Sequence, residues 1–275
     1  MTEPLTLMAV HAHPDDEASS TGGVLAKYSD EGVRTIVVTC TNGEFGDAPG
    51  GIKPGESGHD ANGVAQLRLA ELREAVKHLG VTELELLGYR DSGMPDWDYK
   101  QQPEAFWNVP LDEVAGRIAD LIERYRPQVV ITYDPDSLYQ HPDHVHASRA
   151  GIAAVEKTGI PAKLYLSAMR RRSFEQIFEA LREAGEPVPD WRASEDDIRR
   201  AQESEERITT TVDIRDVFDR KRAALMAHSS QINNSWFAKV PPQVMESAFG
   251  AESFILSVNR TSSQPPETDL FAGLR

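Results

Sequence analysis

Cysteine is almost absent: Cys40 is the only one, set inside the apolar run "TIVVTCT". A single thiol cannot close an internal disulfide, and in that run it reads as a small buried strand residue. Basic residues are outnumbered, 29 lysines and arginines against 44 acids, for a net charge of −15. No basic stripe could neutralise phosphates, so nucleic acid is not expected as a partner. The one dense basic cluster, Arg170–Arg172, reads as a solvated turn or helix start. No apolar run approaches the ~18 residues of a membrane-spanning helix, so membrane insertion is not expected either. The opening "MTEPLTLMAV" lacks a basic region and a small-residue cleavage site, and a cytoplasmic location is the expectation. Phosphate-loop and hydrolase signatures are missing too. In "GDAPGGIKPGESG" Lys53 precedes Pro54, so there is no G-x-x-x-x-G-K-[ST]; nor is there a strand followed by G-x-G-x-x-G, an H-E-x-x-H or a G-x-S-x-G.

What is present is an alternation of strand-like and helix-like segments. Strands are expected at 5–10, 34–41, 83–89, 128–134 and 162–168, with helices at 24–32, 63–79, 111–125 and 144–159. That order predicts an α/β, Rossmann-like fold with a mostly parallel sheet flanked by helices. Such a sheet places its ligand beyond the C-terminal strand ends. Past residue 170 the pattern loosens into two charged helices within 173–206 separated by "GEPVPDW", a strand at 207–214, a helix at 217–228 and a strand at 253–258. We therefore expect a catalytic core over 1–170 and a smaller α+β portion over 171–275 that completes the pocket within one structural domain. The glycine-rich stretch 46–58 reads as a loop near the site mouth.

Two motifs carry chemistry. "HAHPDDE" (11–17) follows the first strand and "YQHPDH" (139–144) follows the strand "QVVITYD", and four of the eight histidines fall in them. A lone His-Pro-Asp commonly marks only a helix start, with proline in the first turn. Two of them at equivalent strand ends point instead to one metal site. Histidine and aspartate without cysteine suit a borderline ion such as zinc, and three ligands with one open position make a catalytic site. His13, Asp16 and His144 would supply that trio, leaving Asp15 beside the ion as a free carboxylate fit for a general base. His11 and Glu17 would support the ligands from behind.

The two motifs together resemble the LmbE-like, or PIG-L, family of zinc-dependent N-deacetylases. The resemblance runs on through "TCTNGEFGD", "RLAEL", "GYRDSGM", "YDPDSLYQHPDHVHASRA", "AHSSQI" and "ETDLFAGL". The last two segments are similar to the actinobacterial mycothiol branch, which holds the N-acetylglucosaminyl-inositol deacetylase and the mycothiol S-conjugate amidase. The resemblance implies a Rossmann-like fold, one zinc per chain (another divalent ion such as iron being compatible) on His13, Asp16 and His144, and Asp15 as base. It places His141 beside the reacting amide with Asp143 as its orienting partner, and Tyr139 near the oxyanion. Arg68 and Asp91 match positions that hold the sugar.

The function it implies is removal of an N-acyl group, normally acetyl, from a small amino-sugar conjugate. The leaving amine would take its proton from His141 or from Asp15. An amidase acting on a larger acyl group, a two-metal phosphoesterase and a non-catalytic sugar-binding protein are the alternatives. Specificity is expected from loops 42–62 and 92–108 and from the C-terminal third. There Trp97, Trp107, Trp236 and Phe237 could either stack on a sugar or simply pack. A homo-oligomer is compatible with the sequence.

Overall fold

The computed structural model describes residues 4–188 and 194–275. Its elements run β1 (Thr6–His11), α1 (Asp16–Asp30), β2 (Arg34–Thr41), α2 (Ala61–Leu79), β3 (Glu83–Tyr89), α3 (Leu111–Tyr125), β4 (Val129–Tyr133), α4 (Pro142–Thr158) and β5 (Lys163–Ala168). They continue with α5 (Arg171–Glu183), α6 (Glu195–Glu206), β6 (Thr210–Asp213), α7 (Phe218–Ala227), α8 (Ser229–Ile232), α9 (Pro242–Phe249) and β7 (Ala251–Asn259). Residues 189–191 of the expected "GEPVPDW" connection lie outside the described residues.

The strands form one seven-stranded sheet in the order β3-β2-β1-β4-β5-β7-β6. The first five are parallel; β7 joins β5 antiparallel, and β6 joins β7 antiparallel. Strand β1 is buried along its whole length because both faces are covered. Its alternating side chains divide between two cores. Leu7 and Ala9 pack with residues of α1, α5, α7 and α9, whereas Met8 and Val10 pack with Val114 and Ile118 of α3 and Ala147 and Ala150 of α4. Among the described residues no helix is long and apolar enough to cross a membrane.

Helix α1 begins at Asp16, eight residues before the expected start at 24. The sequence "SSTGG" conceals that start, since glycine and serine are weak helix formers. The glycine at 23 is required by packing: a Cβ there would lie 2.6 Å from the side chain of Ile214 and 2.9 Å from Glu252. Helix α4 likewise starts at Pro142, with His141 as its cap. Both His-Pro-Asp motifs thus do introduce helices, and both also deliver their side chains to the strand ends.

The order places β1 third among the seven strands, at the point where the chain reverses direction across the sheet, with β2 on one side and β4 on the other. The crevice at that reversal, beyond the C-terminal ends of β1 and β4, is where this class of sheet binds ligands. Residues 12–16 and 134–144 both open into it.

Candidate metal centre and active site

His13, Asp16 and His144 converge in this crevice with ligating atoms all within 4.8 Å of one another. Asp16 faces both rings: Oδ1 lies 3.2 Å from His144 Nε2 and Oδ2 lies 3.5 Å from His13 Nδ1. All three are buried but not sealed off, between 6% and 8% exposed. Two imidazoles and one carboxylate at a buried strand end form a donor set that fits zinc. The electrostatics agree. Burial would lower the His13 pKa, yet Asp91, Asp143 and Asp16 outweigh it and carry it well above its usual value. Burial would raise Asp16, and His144 with His13 holds it well below the carboxylate range. Carboxylates gathered on one imidazole define a place for a cation.

The other nitrogen of His13 is committed elsewhere. His13 Nε2 sits 3.1 Å from Asp143 Oδ2, which also accepts from the Ser92 backbone N–H at 2.9 Å. This corrects the expected pairing of Asp143 with His141. The Asp143 carboxylate holds His13, and only its backbone N–H reaches His141 Nδ1, at 3.2 Å. A ligating histidine that donates its second N–H to a carboxylate is the usual support for a metal site. The same pairing fixes Nδ1 as the nitrogen that His13 turns towards Asp16.

Tyr133, at the end of β4, was not anticipated. Its hydroxyl donates to Asp16 Oδ2 at 2.9 Å, accepts from Ala12 N–H at 2.7 Å and meets His11 Nδ1 at 3.2 Å. Its ring stacks on His144 at 4.2 Å, so one side chain steadies two members of the trio. The available signal was its place as the last residue of a buried strand, with a polar tip aimed at the crevice. Since the Tyr133 proton is given to Asp16, His11 Nδ1 carries the hydrogen in that pair, and His11 Nε2 faces Thr21 Oγ1 at 2.9 Å. Burial pushes His11 down to about 4, against the pull of Asp16 and Glu17.

Asp15 lies just before α1 with φ 116° and ψ −23°, a left-handed conformation that costs a non-glycine residue energy. Its carboxylate accepts from Arg68 Nη2 at 3.0 Å, and its side chain is 27% exposed against 6% for Arg68. Arg68 also donates to the carbonyls of Gly43 (2.8 Å) and Pro14 (2.6 Å). Gly43, at φ 67°, is required there, because a Cβ would come within 2.4 Å of Arg68 Nη1. The guanidinium is therefore fastened to Asp15 and two backbone turns. Burial raises the Asp15 pKa, Arg68 opposes it and Asp16 adds to it, with a net upward shift.

His141 stands edge-on to His13 with ring centres 4.6 Å apart. Burial, then the nearby His13 and His144, pushes His141 down to about 2. Because its Nδ1 accepts the Asp143 N–H, the neutral ring carries its proton on Nε2. Tyr139 is 44% exposed, with its ring 4.9 Å from His144 and 6.0 Å from His141. Asp91, 4% exposed, lies 3.7 Å from His13 Nε2 and caps Gly93 N–H at 2.7 Å. Its own N–H goes to Glu44 Oε2 at 3.0 Å, and burial raises the Glu44 pKa.

The two expected specificity loops meet beside this cluster: Phe45 stacks on Tyr99 at 3.9 Å. Trp97 lies against Tyr99, and Trp107 lies under the Lys100 ammonium at 4.7 Å. Trp236 and Phe237 stack on each other at 3.7 Å and pack against the core shared by α5 and α9, so the packing alternative describes them. In the stretch 46–58, Ala48 pairs with Ile52 across a tight turn, and Gln231 brackets Asp47 through its N–H (3.1 Å) and carbonyl (3.0 Å).

The chain is similar to known proteins in sequence and in fold. The family of GlcNAc-PI de-N-acetylases (PIG-L) matches over residues 8–155. A 1D-myo-inositol 2-acetamido-2-deoxy-α-D-glucopyranoside deacetylase of Acidothermus cellulolyticus is 41% identical over 98% of this chain and 95% of its own. A mycothiol S-conjugate amidase of Streptomyces coelicolor is 35% identical over 100% of this chain and 99% of its own. In structure, the N,N′-diacetylchitobiose deacetylase of Pyrococcus horikoshii shares the fold with a TM-score of 0.58 at 21% identity, covering 92% of this chain and 84% of that one.

Proposed function

Since the chain belongs to the PIG-L family of de-N-acetylases and is an amide hydrolase of that kind, we propose that it removes the acetyl group from an N-acetylglucosaminyl-inositol. The observation that carries this is the convergence of His13, Asp16 and His144, with Asp15 left unligated beside them and partly open. The ion they would hold, zinc by the chemistry of the donors, supplies Lewis acidity that acidifies water and polarises the amide carbonyl. Asp15 takes the proton of the attacking water. Its raised pKa suits that role, and Arg68 aims it. His141 donates from Nε2, and Tyr139 from its hydroxyl, towards the oxygen on which charge develops. Asp15, which has just accepted a proton, returns it to the leaving amine, a role open to it because its carboxylate is partly exposed beside the trio. Asp91 and Glu44, with the Phe45–Tyr99 stack behind them, border the side where a sugar would lie.

The test is release of free amine from N-acetylglucosaminyl-inositol and related glucosamine conjugates, with chelator and with zinc restored. We expect turnover that the chelator abolishes and zinc returns. No release by the metal-loaded protein would sink the reading. The near-complete match to a mycothiol S-conjugate amidase favours one second reading, the same chemistry on a larger acyl group. Cleavage of such a conjugate in preference to the acetyl substrate would select it.

A further inference from the structure

We infer that Glu17 and His228 form a buried positioning pair whose purpose is to hold Asp15 in its left-handed conformation, an inference that rests on the hydrolase reading of the site. Asp15 and Arg126 are the only non-glycine residues among those described with positive φ, and Asp15 is the one in the crevice. Such a conformation persists only where the surroundings over-determine it. Its carboxylate is held by Arg68, and its carbonyl accepts from Ala18 and Ser19 at 3.2 and 3.1 Å. Its backbone N–H donates to Glu17 Oε2 at 3.0 Å. The other oxygen, Glu17 Oε1, lies 2.7 Å from His228 Nε2.

Both Glu17 and His228 are 0% exposed. The second ring nitrogen of His228, Nδ1, is buried and has no hydrogen-bond partner among the described residues, so the imidazole serves Glu17 alone. A buried ion pair is a poor route to stability, since apolar residues of similar volume commonly do as well. What this pair provides instead is a fixed acceptor under one backbone N–H. His228 is itself rigidly seated where α7 ends and α8 begins. Glu71 of α2 accepts from Ser229 Oγ, Ser230 N and Ser230 Oγ at 2.9, 2.8 and 2.6 Å, locking α8 in place. A chain of contacts therefore runs from the C-terminal third to the base without touching substrate.

The test uses the metal-loaded enzyme, N-acetylglucosaminyl-inositol as substrate and Glu17→Ala. We expect kcat to fall about tenfold to a hundredfold, as loss of a supporting partner does, with KM and bound metal near wild type. In an Asp15→Asn background the same substitution should change kcat by less than about twofold, because the group it acts through is already gone. His228→Ala strands a buried carboxylate and puts folding at risk, so His228→Gln, which keeps a donor towards Glu17, is the companion and should recover most of the turnover. An equal loss in the Asp15→Asn background, or metal loss in step with kcat, would overturn the inference. A crystal structure of Glu17→Ala reads the geometry directly: φ of Asp15 should leave the left-handed region, and an unmoved Asp15 refutes the pair's role. Should wild type release no amine, the hydrolase reading fails separately, and that crystal structure still decides whether the pair holds Asp15.

Discussion

Asp15 and Asp16 are adjacent carboxylates pressed in opposite directions. Two histidines hold Asp16 ionised, whereas burial and its neighbour push Asp15 upward. Divergent environments for paired acids are how one site separates a ligand from a base. Asp15→Asn should therefore keep its metal and lose about 10²–10⁴-fold in turnover, as removal of a general base does. Elemental analysis beside steady-state kinetics checks both halves, and near-normal turnover would remove Asp15 from the role. Asp143→Asn should act differently. It loosens His13, so metal affinity should fall about 10–100-fold in a competition titration with a chelator. Unchanged affinity with slowed turnover would mean that Asp143 works on His141 after all. His11 supplies a pH test. Its folded pKa of about 4 lies below the ~6.5 of an unfolded histidine, so the unfolded chain binds the extra proton between them. The stability contributed by neutral His11 is complete above about pH 6.5 and is lost as pH falls through about 4, a change of roughly 3 kcal/mol. In urea unfolding of the metal-free protein, the advantage of wild type over His11→Gln should shrink across that window; a constant difference would contradict it. At this scale the trio was legible because strand ends and short spacing put His13, Asp16 and His144 together. Tyr133 and the Glu17–His228 contact were not, because neither Tyr133 nor His228 belongs to a motif that marks it, and the Asp143–His13 contact was not, because it depends on which way two packed side chains turn.

Among the elements, α1 shows how a rule of local propensity yields to packing. Two glycines in its second turn argue against a helix, yet they let β7 and the chain before α7 approach. Glu252 of β7 accepts from the N–H groups of Gly23 and Val24 at 2.7 and 2.9 Å, and Lys221 of α7 reaches Ser19 O at 2.9 Å. Gly→Ala in an exposed helix gains up to ~1 kcal/mol. At position 23 the new Cβ would meet Ile214 and Glu252, and overpacking of that kind costs about 1–3 kcal/mol. Gly23→Ala should accordingly lower the urea midpoint, by an amount equivalent to about 1–2 kcal/mol once the propensity gain is set against the clash. A raised midpoint would show that α1 has slack that its contacts deny. Strands β1, β2, β4 and β5 were legible from their β-branched and apolar runs. The start of α1 was not, since what permits it comes from residues 214, 221 and 252.

Across the whole molecule the sheet has two ends with separate duties. The C-terminal ends of β1 and β4 carry the crevice; the opposite end is closed by the late segment that follows β7. Lys163, the first residue of β5, is 0% exposed, and its ammonium meets Glu267 Oε1 at 2.6 Å. Glu267 Oε2 takes the Tyr165 hydroxyl at 2.5 Å and Thr210 Oγ1 at 3.3 Å, tying β5 and β6 to the tail. Tyr28 of α1 joins in, donating to Asp269 at 2.9 Å. The sequence marked "ETDLFAGL" only as a resembling segment; its charge partners lie in strands that no periodicity links to it. Glu267→Ala leaves a fully buried ammonium without its carboxylate, and breaking a buried pair on one side costs about 3–5 kcal/mol. A large drop in the denaturation midpoint is expected, while the folded fraction should bind metal as tightly as wild type, because the crevice lies at the other end of the sheet. Replacing both partners, Lys163→Met with Glu267→Leu, should recover much of the loss, since the pair is expensive to bury and apolar substitutes are not. If instead metal affinity falls with Glu267→Ala in protein that remains folded, the two ends of the sheet are coupled, and the tail belongs to the active site as much as to the fold.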